Sequence, residues 1–174
     1  MTPPTNDLVD QVISQWTEEC PGQDFSPMAV VTRVFRLNAL ATRNVNRSFR
    51  QHTLHQGEFD VLATLYRSGS PYALNPQKLV AALLLTSGAM TNRLDRLEQA
   101  GLLARSPNPD DRRGVIVSLT AEGLRVVKAV LKDYLKDLNE LLDPLSAGER
   151  KQLAGLLKKM LVRLDQETPG GIDA

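Results

Sequence analysis

The sequence predicts a mainly α-helical chain carrying one small β-hairpin, and three observations predict it. Apolar residues recur at helical spacing through most of the 174 residues. One stretch, 102–120, switches to apolar–polar alternation, the period of a strand. Residues that cap helices stand at the head of most of the apolar-periodic runs.

Taken in order, Pro3-Pro4 reads as a frayed start. Thr5 is placed to cap a short helix with Leu8, Val9, Val12, Ile13 and Trp16 on one side, and Cys20-Pro21-Gly22 ends it. Ser26 and Pro27 open a longer helix, because proline at the first helical position loses no hydrogen bond. Its apolar stripe is Val30, Val34, Leu37, Ala41, Val45 and Phe49, and Arg36, Arg43, Arg47 and Arg50 fall on a different face. His55 stands at the cap of the next helix, where Phe59, Leu62, Leu65 and Tyr66 read as core. Asp60 is the exception there, a charge beside buried positions. Ser68-Gly69-Ser70-Pro71 closes that helix.

The stretch 75–120 organises the rest. Asn75 is an N-cap with Pro76 at the first helical position, and Leu79, Val80 and Leu83 give that helix its buried side. Leu84 and Leu85 lead through a tight turn to Thr86-Ser87, a second cap. In the following helix Met90, Leu94 and Leu97 face inward, while Ser87, Thr91, Asn92, Asp95 and Arg96 are left mostly outside. Gly101 stops it. Residues 102–106 and 115–119 are then two strands around a polar turn, 107–114, with adjacent arginines Arg112 and Arg113. Two helices at a sharp turn followed by a basic hairpin describe a winged helix-turn-helix. Such a unit puts its second helix in a DNA major groove and its hairpin against the backbone or minor groove.

Thr120 caps a long helix to about residue 143, in which Leu124, Val127, Leu131, Leu135, Leu138 and Leu142 make a near-heptad stripe. Ser146 and Glu149 form a capping box for a last helix carrying Leu153, Leu156, Leu157, Met160, Leu161 and Leu164. Pro169-Gly170-Gly171 begins a loose tail. So much leucine on two terminal helices exceeds what a small lobe covers. The expected use is pairing with a second copy through these helices and the Ser26 helix, which also provides two-fold reading of a palindrome.

Composition narrows the function classes. No apolar run approaches transmembrane length, and no basic segment leads into an apolar one at the start, so neither a span nor a signal peptide is expected. The single Cys20 forms no internal disulfide and suits a reducing cytoplasm. Lys plus Arg total 21 against 20 acids, so net charge does not announce a nucleic-acid partner. Its distribution is more informative. Residues 1–24 hold acids and no Lys or Arg, whereas Arg33, Arg36, Arg43, Arg47 and Arg50 meet no acid before Glu58. His52 and His55 with one cysteine make no triad or zinc set, and there is no phosphate loop, so no enzyme, metal or cofactor is expected.

The run TSGAMTNRLDRLEQAGLLARSPNPDDRRGVIVSLTAEG resembles the MarR family of bacterial transcriptional regulators. The wing pattern stands as Asp110-Asp111-Arg112-Arg113, followed by Val117-Ser118-Leu119-Thr120-Ala121-Glu122-Gly123, and the likeness extends over roughly 26–167. It implies a dimeric repressor of a double-stranded operator. The expected layout is an added helix over 1–25, a dimerisation helix over 26–55, the winged unit over 56–120, C-terminal dimerisation helices over 121–167 and a tail over 168–174. Ser87, Gly88, Ala89, Thr91, Asn92 and Arg96 are the expected base and phosphate readers, with Arg112 and Arg113 anchoring the wing. Asp110 or Asp111 is placed to pair with one of those two arginines.

The chain is also similar to the urate-responsive branch of that family, at Trp16 on the added helix, Asp60 in Phe-Asp-Val-Leu, Arg93 in Thr-Asn-Arg-Leu and Arg105 on the first wing strand. The resemblance implies that these four take an anionic aromatic-like ligand, urate or a related purine first and a phenol or aromatic carboxylate second. The chemistry is coherent: a ring stacks on a flat heterocycle, and guanidinium groups receive an anion through paired hydrogen bonds. Residue by residue the plain alternative is an ion pair for Asp60, a phosphate contact for Arg93 and a core place for Trp16. Two further classes stay open. One is oxidation sensing through Cys20, although Glu18 and Glu19 beside it disfavour a thiolate. The other is a winged helix used only for protein contacts.

Overall fold

Among the described residues, 6–109 and 111–167 of the computed structural model, the chain forms seven helices and three strands. They are α1 Leu8–Glu19, α2 Ser26–Gln51, α3 Gln56–Arg67, β1 Ala73–Leu74, α4 Pro76–Leu83, α5 Ser87–Gln99, β2 Leu103–Asn108, β3 Asp111–Leu119, α6 Ala121–Leu141 and α7 Ala147–Glu167. Two compact units divide the chain between Asn44 and Val45, within α2.

The first unit holds α1 and the first part of α2. The cap of α1 is Asp7, whose carboxylate accepts from the backbone of Val9 at 2.8 Å and of Asp10 at 3.0 Å. Asp10 answers by accepting from the Asp7 N–H. Thr5, expected in this role, lies outside the described residues, as do Pro3-Pro4. The Asp7 carboxylate also meets a cation. Arg33 of α2 reaches Asp7 at 2.9 Å and Asp10 at 2.6 Å, and its guanidinium holds the Asp7 carboxyl below the usual carboxylate range. Of the expected apolar side of α1 only Val9 is fully buried; Leu8 and Trp16 stay about half exposed, and Trp16 stacks loosely on Phe25. Along α2, Val30, Val34, Phe35, Leu37 and Leu40 are all exposed.

In the second unit one core joins the end of α2 to everything up to α6. Phe49, Phe59 and Tyr134 form an aromatic cluster with centroids 4.8 to 5.7 Å apart. Leu62, Leu65, Leu79, Met90, Leu94, Leu97, Val117, Val127 and Val130 close around it. Polar ties reinforce the same seam: Ser48 donates to Asp137, and His52 meets Asp133 at 2.7 Å.

The capping expectations hold for α4, α5, α6 and α7, whereas Ser26 is the first residue of α2 itself and its hydroxyl donates to Asp24 instead of capping. Asn75 accepts from Lys78, Thr86 from Ala89 and Thr120 from Gly123, while Ser146 and Glu149 cap each other's backbone. At His55 the work is done by Glu58, whose carboxylate accepts the His55 N–H at 2.9 Å.

The sheet differs from the expected hairpin in two ways. It has three antiparallel strands in the order β1-β3-β2, because Ala73 and Leu74 pair with Ser118 and Val117. The hairpin is also longer: Pro107 pairs with Val115 and Asn108 with Asp111, across a register shift, so most of the expected 107–114 turn is strand. Pro109 remains a turn residue, and Asp110 lies outside the described residues. Pairing beats local turn propensity here because β3 continues to offer ladder partners.

The leucine stripe of α6 is only partly covered within the chain. The buried face is Gly123, Val127 and Val130, while Leu124, Leu131 and Leu138 are half-buried and Leu135 is exposed. On α7 no described side chain is buried, and Leu156, Met160, Leu161, Val162 and Leu164 are all exposed. The expected tail from Pro169 onward lies outside the described residues.

Candidate functional site

The site is built around α5. Met90, Leu94 and Leu97 turn one side of it into the core. The opposite side presents Ser87, Gly88, Thr91, Asn92 and Arg96 to solvent, with Ala89 half-buried at its edge. Thr91 donates to the Ser87 carbonyl at 3.0 Å, which fixes its hydroxyl on the outer surface. Small residues at the start of the helix leave the backbone itself accessible, as close approach to a groove requires. Arg96 lies 3.9 Å from the buried Glu58 carboxylate while its head remains exposed. Arg112 and Arg113 belong to β3 at the wing; their side chains, and Asp110, lie outside what is described.

The two flanks of α5 carry one arginine each. On the first, Arg93 of α5 is half-buried against the first turn of α3, and its Nη1 donates to the Gly57 carbonyl at 3.4 Å. Asp60 is on the same helix one turn further. Burial pushes the Asp60 carboxyl above its ordinary range, and the charges of Arg93 and Arg67 oppose that rise. On the second flank, Arg105 of β2 meets Asp95 at 2.7 Å and Glu98 at 2.6 Å, and its own N–H donates to Glu98 at 3.2 Å. Burial works against the Arg105 charge, yet the two carboxylates raise its pKa above the ordinary value. At about 100° per residue, Asp95 and Glu98 sit far around the helix from Arg93. A cleft of about 570 Å³ opens beside Arg105, lined among others by Val80, Ser87, Thr91 and Asp95.

Thus Arg93 is held at Gly57, one turn of α3 before Asp60, Arg105 is held on the other side of α5, and Trp16 belongs to the first unit. Sequence reasoning missed Gly57, Glu58 and Glu98. The last two carried weak local signals, an acid at the third position of a helix and an acid in a helix's final turn. Gly57 carried none. Cys20 closes α1 as its C-cap and is half-buried.

The MarR family model matches residues 54–115. The chain is 39% identical over 152 residues to the HTH-type transcriptional regulator PecS of Dickeya dadantii, covering 87% of this chain and 92% of that protein. It is 33% identical over 129 residues to the multiple antibiotic resistance protein MarR of Salmonella typhimurium, covering 74% and 88%. Among solved structures it resembles a mutant E. coli MarR complexed with operator DNA, with a TM-score of 0.67 and 30% identity over 80% of this chain and 99% of that one.

Proposed function

The chain belongs to the MarR family, a family of operator-binding transcriptional regulators and not of enzymes, and we propose that it acts as a homodimeric repressor released by a small anionic heterocycle. The observation that carries this reading is the half-buried Arg93 of α5, which donates to the Gly57 carbonyl one turn of α3 before Asp60 and acts electrostatically on the Asp60 carboxyl. An arriving anion competes with Asp60 for the Arg93 guanidinium. Whatever moves Arg93 acts directly on α5, and a ligand that prefers the moved arrangement shifts the population away from DNA.

Urate, or a related purine, is the first candidate, through the resemblance at Trp16, Asp60, Arg93 and Arg105. Arg105 enters as a latch: its two carboxylates must yield before it can receive an anion. The DNA contacts in this reading come from Ser87, Gly88, Ala89, Thr91, Asn92 and Arg96, with Arg112 and Arg113 at the wing. Dimerisation is supported by the uncovered apolar residues of α2 and α7, a patch type that marks interaction sites. Two copies related by a two-fold axis would read a palindromic site.

The test is a titration of the purified protein on DNA from its own upstream region, with and without urate. The expected result is specific, salt-dependent binding that urate relieves. Specific binding that urate leaves untouched would remove urate as the effector. Binding with no preference over unrelated DNA would remove that region as its operator.

A further inference from the structure

We propose that Gly57 is a positioning residue for the effector response: the space left by its missing side chain seats the Arg93 guanidinium beside Asp60. This rests on the Asp60–Arg93 reading above. A Cβ added at Gly57 would lie 2.7 Å from Nη1 and 2.8 Å from Nε of Arg93, and closer still to the carbon between them. The guanidinium therefore lies against the bare Cα, where it also donates to the Gly57 carbonyl.

Backbone geometry gives no reason for a glycine here. Gly22, Gly69 and Gly101 have positive φ, but Gly57 is the second residue of α3 and keeps an ordinary φ. Glycine weakens a helix relative to alanine, so this one lowers local helix stability without a conformational return. The three atoms nearest to such a Cβ belong to the far end of Arg93. Alanine at this position displaces the guanidinium and leaves the helix intact.

The consequence falls on Asp60. The charges of two cations act on its carboxyl, Arg93 from α5 and Arg67 from α3 itself, and they counter the burial that disfavours its charge. Unseating Arg93 removes the cross-helix one. An incoming anion then finds neither a placed guanidinium nor a carboxylate to displace from it.

The experiment uses full-length Gly57→Ala, with Asp60→Asn as the control for the underlying reading. Four quantities are measured: melting temperature, operator affinity without ligand, the urate concentration that half-releases operator, and the Asp60 carboxyl titration by carbon-detected NMR. For Gly57→Ala we expect an unchanged or higher melting temperature and operator affinity within about threefold. We also expect half-release to need at least about tenfold more urate, and the Asp60 titration to move to higher pH. An unmoved Asp60 titration overturns the seat, whatever urate does. A moved titration with an unchanged urate response overturns its role in sensing. Should Asp60→Asn respond to urate as the wild type does, the Asp60–Arg93 reading itself falls and the proposal with it. Should Asp60→Asn lose the response while Gly57→Ala keeps both response and titration, only the seat falls. If Gly57→Ala lowers the melting temperature, the pair with Arg93→Met decides. A penalty that vanishes without the guanidinium supports the seat; one that persists overturns it.

Discussion

Gly123, in the first turn of α6, lies so close under the Leu102 carbonyl that no Cβ fits between them. The same carbonyl accepts the Thr120 N–H at 3.1 Å, so the start of the wing and the start of α6 share one junction. Gly123→Ala must push backbone against backbone. A loss of about 1–3 kcal/mol or more is expected from such overpacking. Chemical denaturation checks it, and an unchanged midpoint would show that the junction yields freely.

Glu98 receives both the backbone N–H and the guanidinium of Arg105, tying the wing strand to the end of α5. The pair is partly exposed, so solvent screening keeps its contribution near about 1 kcal/mol. Glu98→Ala should lower the melting temperature by about 2–4 °C for a chain of this size. Scanning calorimetry reads the shift, and a rise instead would mean that the brace strains the fold.

Arg96 projects from the outer face of α5, and Arg112 from the wing strand is its proposed partner in phosphate binding. Each contact to a phosphate releases counterions. Arg96→Ala and Arg112→Ala should each reduce the salt slope of operator binding by about one. Affinity measured across a series of salt concentrations separates them; a residue whose loss leaves the slope intact makes no phosphate contact.

Asp60 titrates above its ordinary value because burial disfavours its charged form. For such a group the neutral form is favoured in the folded state. Its contribution to stability is therefore full below the unfolded-state value, 3.8, and is lost as pH rises through the raised folded value. Asp60→Asn, which never ionises, should match the wild type most closely in acid and exceed it in stability toward neutral pH. Parallel urea titrations across pH test the sign; a variant that gains relative stability toward acid would contradict it.

Leu161 and its neighbours on α7 are exposed among the described residues. Leu161→Asp places a charge in the proposed subunit interface, where a lone buried charge is strongly disfavoured. The variant should sediment as a monomer at concentrations where the wild type is a dimer, and should lose operator affinity. Identical sedimentation would send the interface elsewhere.

Much of this was legible because it is local. Asn75, Thr86, Thr120 and Ser146 cap helices within three residues of themselves, so a short window of sequence suffices. The core positions Met90, Leu94 and Leu97 follow from periodicity alone. What was not legible depends on a distant partner. Ala73-Leu74 is a strand only because β3 offers it an edge, and Asp7 replaces Thr5 as a cap in company with Arg33. The leucines of α6 announce an apolar face but not which part of it this chain covers.

The sequence by itself determined the winged helix-turn-helix, the solvent-facing side of α5 and the family, because those rest on short-range caps, hydrophobic period and a contiguous motif. Only the tertiary structure decided that Arg93 and Arg105 occupy opposite flanks of α5, one against Gly57 and the other between Asp95 and Glu98. Both are long, charged side chains whose direction depends on which carboxylate or open space the packed chain puts within reach. Spacing along the chain carries no record of that choice, since the seat at Gly57 is the absence of a side chain.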